Sequence, residues 1–519
     1  MSYYLTNLVL ILFIIYFCKI NRKGLHIFQL EHYYQDRYIK WLKENNNQTF
    51  NFNNFALLFI SSAVIAINIK IGYVITMLTY LSLIFSIKKR KEKKPFVTTA
   101  RVRRQYTTYL ILLIIIGLFV NFYNDIYSLI VLNIIAAFSY FFVYIVALIN
   151  KPIESCISKK FCKKATKKLK SIPEFKVVGV TGSYGKTSTK YIINTILSQK
   201  YNSIMTPESY NTTMGVVRTI NEKVEPLHQL FVCEMGAKYV GDIKEICDIV
   251  NPDFAVVTAI EPQHLDTFGT VENVSKTKLE LVDSLTDDGL AFVNWEDENI
   301  RKAKITKKLV KYGLNKDADY YAENIEITEK GSSFDVIMPN KNKISVKTKL
   351  LGNLNILNIV CGVAIADKLG LTEEQIKMGI KYIKPVEHRL ELRPNPNGSI
   401  IIDDSYNSNV RGSKMALEVL GSFKDRQRIL ITPGIVDLGD KAYEINKNLG
   451  KEATKHCDFI MFVGEKQAVP MLDGIREEKY PENKVFVAKN LDEAIQKMYQ
   501  MMDSKTVVLL ENDLPDNYL

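Results

Sequence analysis

Apolar residues are distributed unevenly along this chain, and that constrains its fold most. Residues 1–150 hold five long apolar runs, at about 4–20, 52–69, 71–87, 107–122 and 128–148, while 171–519 reads as a water-soluble protein. A membrane-spanning helix needs about 20 mostly apolar residues. Ser128 to Leu148 meets that length, and LILLIIIGLFV at 110–120 meets it with its flanks. The second and third runs meet at Ile69-Lys70-Ile71-Gly72. That junction fits a tight hairpin or one long tilted helix, so four or five spans are expected. The first run lacks a basic leader and a small-residue cleavage site, so it is read as an anchor.

The formal charge of +12 is concentrated in two stretches. Residues 88–106 carry nine Lys/Arg and one Glu, and 150–170 carry eight Lys and one Glu, so the remainder is slightly acidic. Both stretches abut apolar runs. Basic loops collect on the cytoplasmic side and attract anionic lipid heads. Five spans with the N-terminus outside put loops 21–51 and 88–106, and everything after 149, in the cytoplasm. No nucleic-acid readout motif accompanies the charge. QLEHYYQDRYIKWLKEN (29–45) fits either an interfacial helix or a solvated linker. Charged residues are nearly absent from the spans, which argues for an anchor or platform over an ion-handling transporter.

The 519 residues suggest about three domains. With 47% hydrophobic and 24% charged residues, disorder and collagen-like repeats are excluded. The seven cysteines are scattered and read as reduced. The expected plan is a helical membrane domain (1–150), a basic linker (151–170), and two α/β domains (171–385 and 386–519).

FKVVGVTGSYGKTSTKYIINTIL (175–197) reads strand, glycine loop, helix. Gly182 and Gly185 permit a turn of inward-facing amides at a helix N-terminus, a phosphate cradle. Lys186 would reach terminal phosphates and the Thr187 hydroxyl would ligate Mg²⁺, with Ser183 and Ser188 in the same loop. The strict P-loop spacing fails because Val180 stands where its first glycine would be, but G-x-x-G-K-T is intact.

GVTGSYGKTSTK resembles the ATP loop of the Mur ligase family, and further motifs follow in family order over about 171–440. FVCEMGA (231–237) ends a strand at Glu234, which the resemblance makes a magnesium ligand. In FAVVTAIEPQHLDTFGTVENVSKTKLEL (254–281), His264 would be a second metal ligand or water anchor. Lys278 falls in the family's K-x-E position, where a carbamylated lysine can bind Mg²⁺; Lys276 is the competing candidate. LLGNLNILN (350–358) is similar to G-x-H-N-x-x-N, so Asn355 and Asn358 would meet the base or ribose. Arg389 in PVEHRLE matches an arginine near the domain junction that can reach the γ-phosphate. IIDDSYNSN (401–409) resembles the DDSYNAN signature of one family branch. There Asp404 and Asn407 would meet the nucleotide and Tyr406 would shape the cleft.

Three departures stand out. Leu354 replaces the family His, Asn446 stands where the nearest branch usually has a His, and membrane segments occupy the place of the family's N-terminal UDP-sugar domain. The resemblance implies an ATP- and Mg²⁺-dependent amide ligase that activates a carboxylate as an acyl phosphate. An amino acid or small peptide would supply the amine. The acceptor would sit on a lipid-linked or polysaccharide precursor of the cell envelope, with membrane lipids as partners and no nucleic acid. Two alternatives remain open: a tethered peptidoglycan-precursor ligase adding D-Ala-D-Ala to UDP-muramoyl tripeptide, and an ATP-gated transport or assembly protein without ligation.

Overall fold

The computed structural model describes residues 2–87, 95–122, 125–263, 265–406, 408–436 and 438–513. They form two compact units, Met1–Lys159 and Lys160–Leu519.

The first unit is helical. Four of its helices are long and apolar enough to cross a membrane: Tyr4–Leu30, Ile69–Ser86, Ala100–Val120 and Ser139–Lys170. Phe52–Ile67 and Ile126–Ala137 are apolar but shorter. The second and third runs form the hairpin, not one long helix. Asn68 breaks the chain at φ −146°, ψ 105°, and its side chain caps the next helix through the amides of Lys70 and Ile71. A Cβ at Gly72 would lie 2.7 Å from the Ile65 backbone, so only glycine lets the two helices approach so closely.

The run 128–148 is not one helix. It breaks at Phe138, where the Ser139 hydroxyl donates back to the carbonyls of Ile135 (3.3 Å) and Ala136 (2.7 Å). Such back-bonding competes with the helix ladder and bends it. The basic stretch 151–170 is helical, with Pro152 inside Ser139–Lys170. Residues 35–44 also form a helix, and it is amphipathic. It buries Tyr38 and Leu42, and the Tyr38 hydroxyl donates to Tyr140 O at 2.9 Å.

The second unit carries two sheets. The larger runs β1 (Lys176–Thr181), β2 (Ser203–Met205), β3 (Leu230–Glu234), β4 (Phe254–Val257), β5 (Leu290–Asn294), β6 (Lys308–Gly313), β7 (Tyr320–Thr328), β8 (Gly331–Ile337) and β9 (Lys343–Thr348). Its order is β2-β3-β1-β4-β5-β6-β7-β8-β9. Pairing is parallel from β2 to β7 and antiparallel from β7 to β9. VVGVT, LFVCE and AVV are apolar on both faces, as a parallel sheet covered by helices on both sides requires. Helix Gly352–Lys368 is buried along most of its length and packs on helix Lys186–Leu197. Gly362 makes room for that approach, since a Cβ there would meet Ile196 at 2.8 Å.

The smaller sheet holds β10 (Glu391–Pro394), β11 (Ile400–Asp404), β12 (Gln427–Thr432), β13 (Phe459–Val463), β14 (Val485–Ala488) and β15 (Thr506–Glu511). The order is β10-β11-β15-β12-β13-β14, with only the β10–β11 pair antiparallel. Apolar clusters cover both faces. The α/β architecture expected for 171–519 is what these two sheets build.

Candidate nucleotide site

The carboxyl ends of β1 and β3 meet the N-terminus of helix Lys186–Leu197, where phosphate sites form. Gly182 has φ +150°, and a Cβ there would lie 2.0 Å from Thr258 Oγ1. Gly185 caps the helix at φ +77°. Neither conformation suits a residue with a side chain. Ser183 is buried and pins the loop. Its amide donates to Ala259 O at 2.8 Å, its hydroxyl donates to Glu261 O, and Glu261 N donates back, both at 2.9 Å. Thr258 donates its hydroxyl to Thr181 O and Tyr184 O. The turn is therefore fixed before any ligand arrives.

Lys186 folds back over this turn and donates to Gly182 O at 2.6 Å. Burial pushes its ammonium down to about 8, opposed by the Glu234 charge and reinforced by Arg389. A lysine that satisfies itself on loop carbonyls is held where a phosphate would take over those bonds.

Glu234 ends β3 almost fully buried. Its Oε1 accepts from Thr187 Oγ1 (3.2 Å) and Asn211 Nδ2 (3.0 Å), and its Oε2 from Lys190 Nζ (2.9 Å). Its own amide donates to Thr206 Oγ1 at 3.0 Å. Lys190 is fully buried, reaches Glu208 O as well, and is pushed down in pKa by that burial. The glycine after Met235 is required here: a Cβ at Gly236 would meet the Asn211 side chain at 2.7 Å.

Lys278, on helix Val271–Asp283, is 2% exposed, and no hydrogen bond to its ammonium occurs among the described residues. Burial first, then the nearby Lys186 charge, drives its pKa well below the ordinary lysine value. Lys276 is exposed. His264 lies outside the described residues, and so does Asn407.

On helix Gly352–Lys368, Asn358 Oδ1 accepts from Thr189 Oγ1 at 2.9 Å, while its Nδ2 is buried without a partner among the described residues. Asn355 donates to Leu351 O at 2.9 Å, one turn back along its own helix. Ser188 lies half-buried in the first turn after the loop. Leu354 contributes only an apolar wall, with its Cδ1 3.7 Å from where a Gly185 Cβ would stand.

The C-terminal domain reaches the same place. Arg389 lies over the Tyr406 ring, 4.3 Å from its centroid, and the Tyr406 hydroxyl bonds to Ser209 Oγ of the central domain. Arg389 also acts electrostatically on both Lys186 and Lys190. Its neighbours His388 and Leu390 have positive φ, so the junction backbone is held in an uncommon shape. Asp404 fixes that shape by accepting from Leu390 N at 3.1 Å. A second bridge joins the lobes through Arg411, 3.5 Å from both Glu261 Oε1 and Glu296 O. Asn446 is structural: its side chain exchanges bonds with Ile435 N (2.8 Å) and Ile435 O (2.9 Å).

The sequence reading missed Lys190, Asn211, Ser209 and Arg411. Lys190 was within reach of it, because it stands four residues after Lys186 and so shares a helix face. Asn211 and Ser209 lie in an irregular segment that carries no periodic signal.

A glycine turn at a helix N-terminus, with a buried carboxylate on the adjoining strand, defines a phosphate-binding α/β class. Residues 180–366 match the Mur ligase middle domain, and residues 388–511 match the "Mur ligase, glutamate ligase domain". The chain is 30% identical to the UDP-N-acetylmuramoyl-tripeptide–D-alanyl-D-alanine ligase of Escherichia coli (strain K12), covering 58% of this chain and 68% of that one. The ligase of that name from Bacillus subtilis (strain 168) is 29% identical, over 53% of this chain and 59% of its own. Among solved structures, MurF from Acinetobacter baumannii superposes with a TM-score of 0.62 at 25% identity, covering 68% of this chain and 77% of that one. MurF from Thermotoga maritima, solved with ADP, shares the fold with a TM-score of 0.61 at 23% identity, covering 69% and 80%.

This chain belongs to the Mur ligase family. Members of that family are ATP-dependent ligases that form C–N bonds. The two domain matches leave residues 1–179 outside them.

Proposed function

We propose that this protein is a membrane-anchored, ATP-dependent amide ligase acting on a cell-envelope precursor. The observation that carries the reading is the convergence of both lobes on one turn. Lys186, Thr187 and Glu234 come from the central domain, and Arg389 and Tyr406 come from the other. The four long apolar helices support the anchor, and the basic stretches flanking them support a cytoplasmic site for the lobes.

ATP fits the cradle of Gly182, Ser183, Gly185, Lys186, Thr187 and Ser188. Asn358, with a buried amide still unpartnered, suits a purine or ribose acceptor, and Asn355 lines the same helix. Thr187 and Glu234 offer oxygen ligands, which suit Mg²⁺, and water and phosphate oxygens would complete its shell. Among the described residues no group of three or more His, Cys, Asp or Glu forms a closed metal cage. Lys278 is the residue proposed to be carbamylated, because an uncharged buried amine can capture CO₂ and the resulting anion would gain a positively charged neighbour in Lys186. His264 and Asn407 are assigned by motif alone, as metal ligand and nucleotide contact.

The chain's own residues position and neutralise. Lys186 and Arg389 offset the charge of the transferring phosphoryl group, and the bridges Tyr406–Ser209 and Arg411–Glu261 hold the lobes together while water is excluded. The acceptor carboxylate becomes an acyl phosphate, and an amine displaces phosphate. Asp404 contributes to the nucleotide side through the Leu390 backbone it fixes.

The test incubates the full chain in micelles with ATP, Mg²⁺ and amino-acid or dipeptide pools, with and without membrane-lipid extract. Amide product and ADP release that require both an amine and the extract are expected. ADP release indifferent to both would refute ligation. The similarity to UDP-N-acetylmuramoyl-tripeptide–D-alanyl-D-alanine ligases favours a second reading, in which UDP-muramoyl tripeptide and D-Ala-D-Ala give product without lipid.

A further inference from the structure

Glu234 suits Mg²⁺, yet the chain already answers it with a cation of its own. Lys190 stands on helix Lys186–Leu197 with its side chain fully buried. Its Nζ is 2.9 Å from Glu234 Oε2 and also donates to the Glu208 carbonyl, with the Tyr191 ring centroid 5.0 Å away. Glu208 holds that carbonyl in place at φ +44°, an uncommon conformation for a residue with a side chain, so the seat of the ammonium is a formed feature of the loop. The other carboxylate oxygen, Oε1, accepts from Thr187 Oγ1 and Asn211 Nδ2. Both oxygens are held, and the buried pair is neutral. Lys186, one turn earlier, leans instead on Gly182 O and Ser183 O of the glycine turn. One lysine serves the phosphate loop and the other serves the strand carboxylate.

We propose that Lys190 is a positioning residue that keeps free divalent cations off Glu234, so that the metal enters only together with the nucleotide. This rests on the ATP and Mg²⁺ reading of the site and adds the order of loading. A free cation meets a neutral pair and would have to unseat a buried ammonium, leaving that charge uncompensated. A cation carried on nucleotide phosphates brings most of its oxygen ligands with it and needs little from the protein, which is how Mg²⁺ is usually held. Without Lys190 the Glu234 charge would stand alone in a buried place, and a divalent cation would then be its nearest source of compensation.

The experiment titrates Mn²⁺, a paramagnetic substitute for Mg²⁺, into the full chain in micelles with and without ADP. Bound metal is read as loss of the free-ion electron paramagnetic resonance signal beyond a protein-free control. Wild-type protein is expected to take up Mn²⁺ with ADP and to bind it at least about tenfold more weakly without. Lys190→Met should bind Mn²⁺ without nucleotide at least about tenfold more tightly than wild type does. Mn²⁺ alone should also raise the urea midpoint of that variant and leave the wild-type midpoint unmoved. Lys190→Gln keeps a hydrogen-bond donor and loses the charge, so it should behave in the same way even if the methionine variant fails to fold. Adding Glu234→Gln to either variant should abolish the gain. Wild-type protein that binds Mn²⁺ equally tightly with and without ADP overturns the proposal and leaves the nucleotide–metal reading standing. A folded neutral variant that gains no nucleotide-free binding overturns it too. Wild-type protein that takes up no Mn²⁺ even with ADP refutes the nucleotide–metal reading itself, and this inference with it.

Discussion

One buried polar cluster of the helical unit and the ionisable groups of the nucleotide site are compensated differently. In the helical unit, Asn133 donates to Ser61 and Ser62 (3.2 and 3.0 Å) and accepts from Tyr80 (3.0 Å), and Ser61 bonds Thr76 at 2.7 Å. Every group in that cluster is neutral and tied to a neighbour, so the cluster fixes helix packing. In the nucleotide site, Lys190 and Glu234 answer each other, but Lys278, Lys186 leaning on carbonyls, and the Asp404–Glu511 pair are ionisable groups incompletely answered. Buried charge without full compensation costs stability and persists where chemistry uses it.

The sharpest way to break this comparison is Lys186→Ala. It should lower ATP turnover about 10²–10³-fold, read as ADP release, with the fold intact. Because Lys186 titrates near 8, wild-type affinity for Mg-ADP should fall as pH rises from 7 to 9.5, and the alanine variant should lack that dependence. The stability sign is opposite. Unfolded lysine keeps its proton up to 10.5, so nucleotide-free stability should rise with pH between about 8 and 10.5.

Lys190→Met comes next. It strands the Glu234 charge, and urea unfolding should register a loss of about 3–5 kcal/mol. In the other unit, Asn133→Ala should cost only about 1–2 kcal/mol in detergent unfolding and leave nucleotide affinity untouched. Any loss of affinity there would show that the helical cluster is more than scaffold. Smallest is Asp248→Ala, which removes an exposed pair with Lys244 and should stay within about 0.5 kcal/mol.

Much of the site was readable in advance because phosphate chemistry demands a fixed local pattern. Gly182, Gly185, Lys186 and Thr187 are neighbours in sequence, and the turn they make is a local event. Glu234 was readable as the last residue of an apolar strand. Lys190 and Asn211, which hold Glu234, were not read, since one looked like an ordinary helix lysine and the other lies in a loop. The run 128–148 was read as unbroken because hydropathy does not register a serine bonding back to Ile135 and Ala136.

The sequence by itself determined the apolar helices, the parallel strands, the glycine turn and the family, all of which follow from local pattern. Only the tertiary structure decided which polar groups meet: Glu234 with Lys190 and Asn211, Arg389 with Tyr406, Asp404 with Glu511. Those pairings join residues up to 107 positions apart, from Asp404 to Glu511, and depend on strand order, which no local run of residues encodes. Burial then sets the proton affinity of each group, because the cost of a charge depends on what surrounds it once the chain has folded.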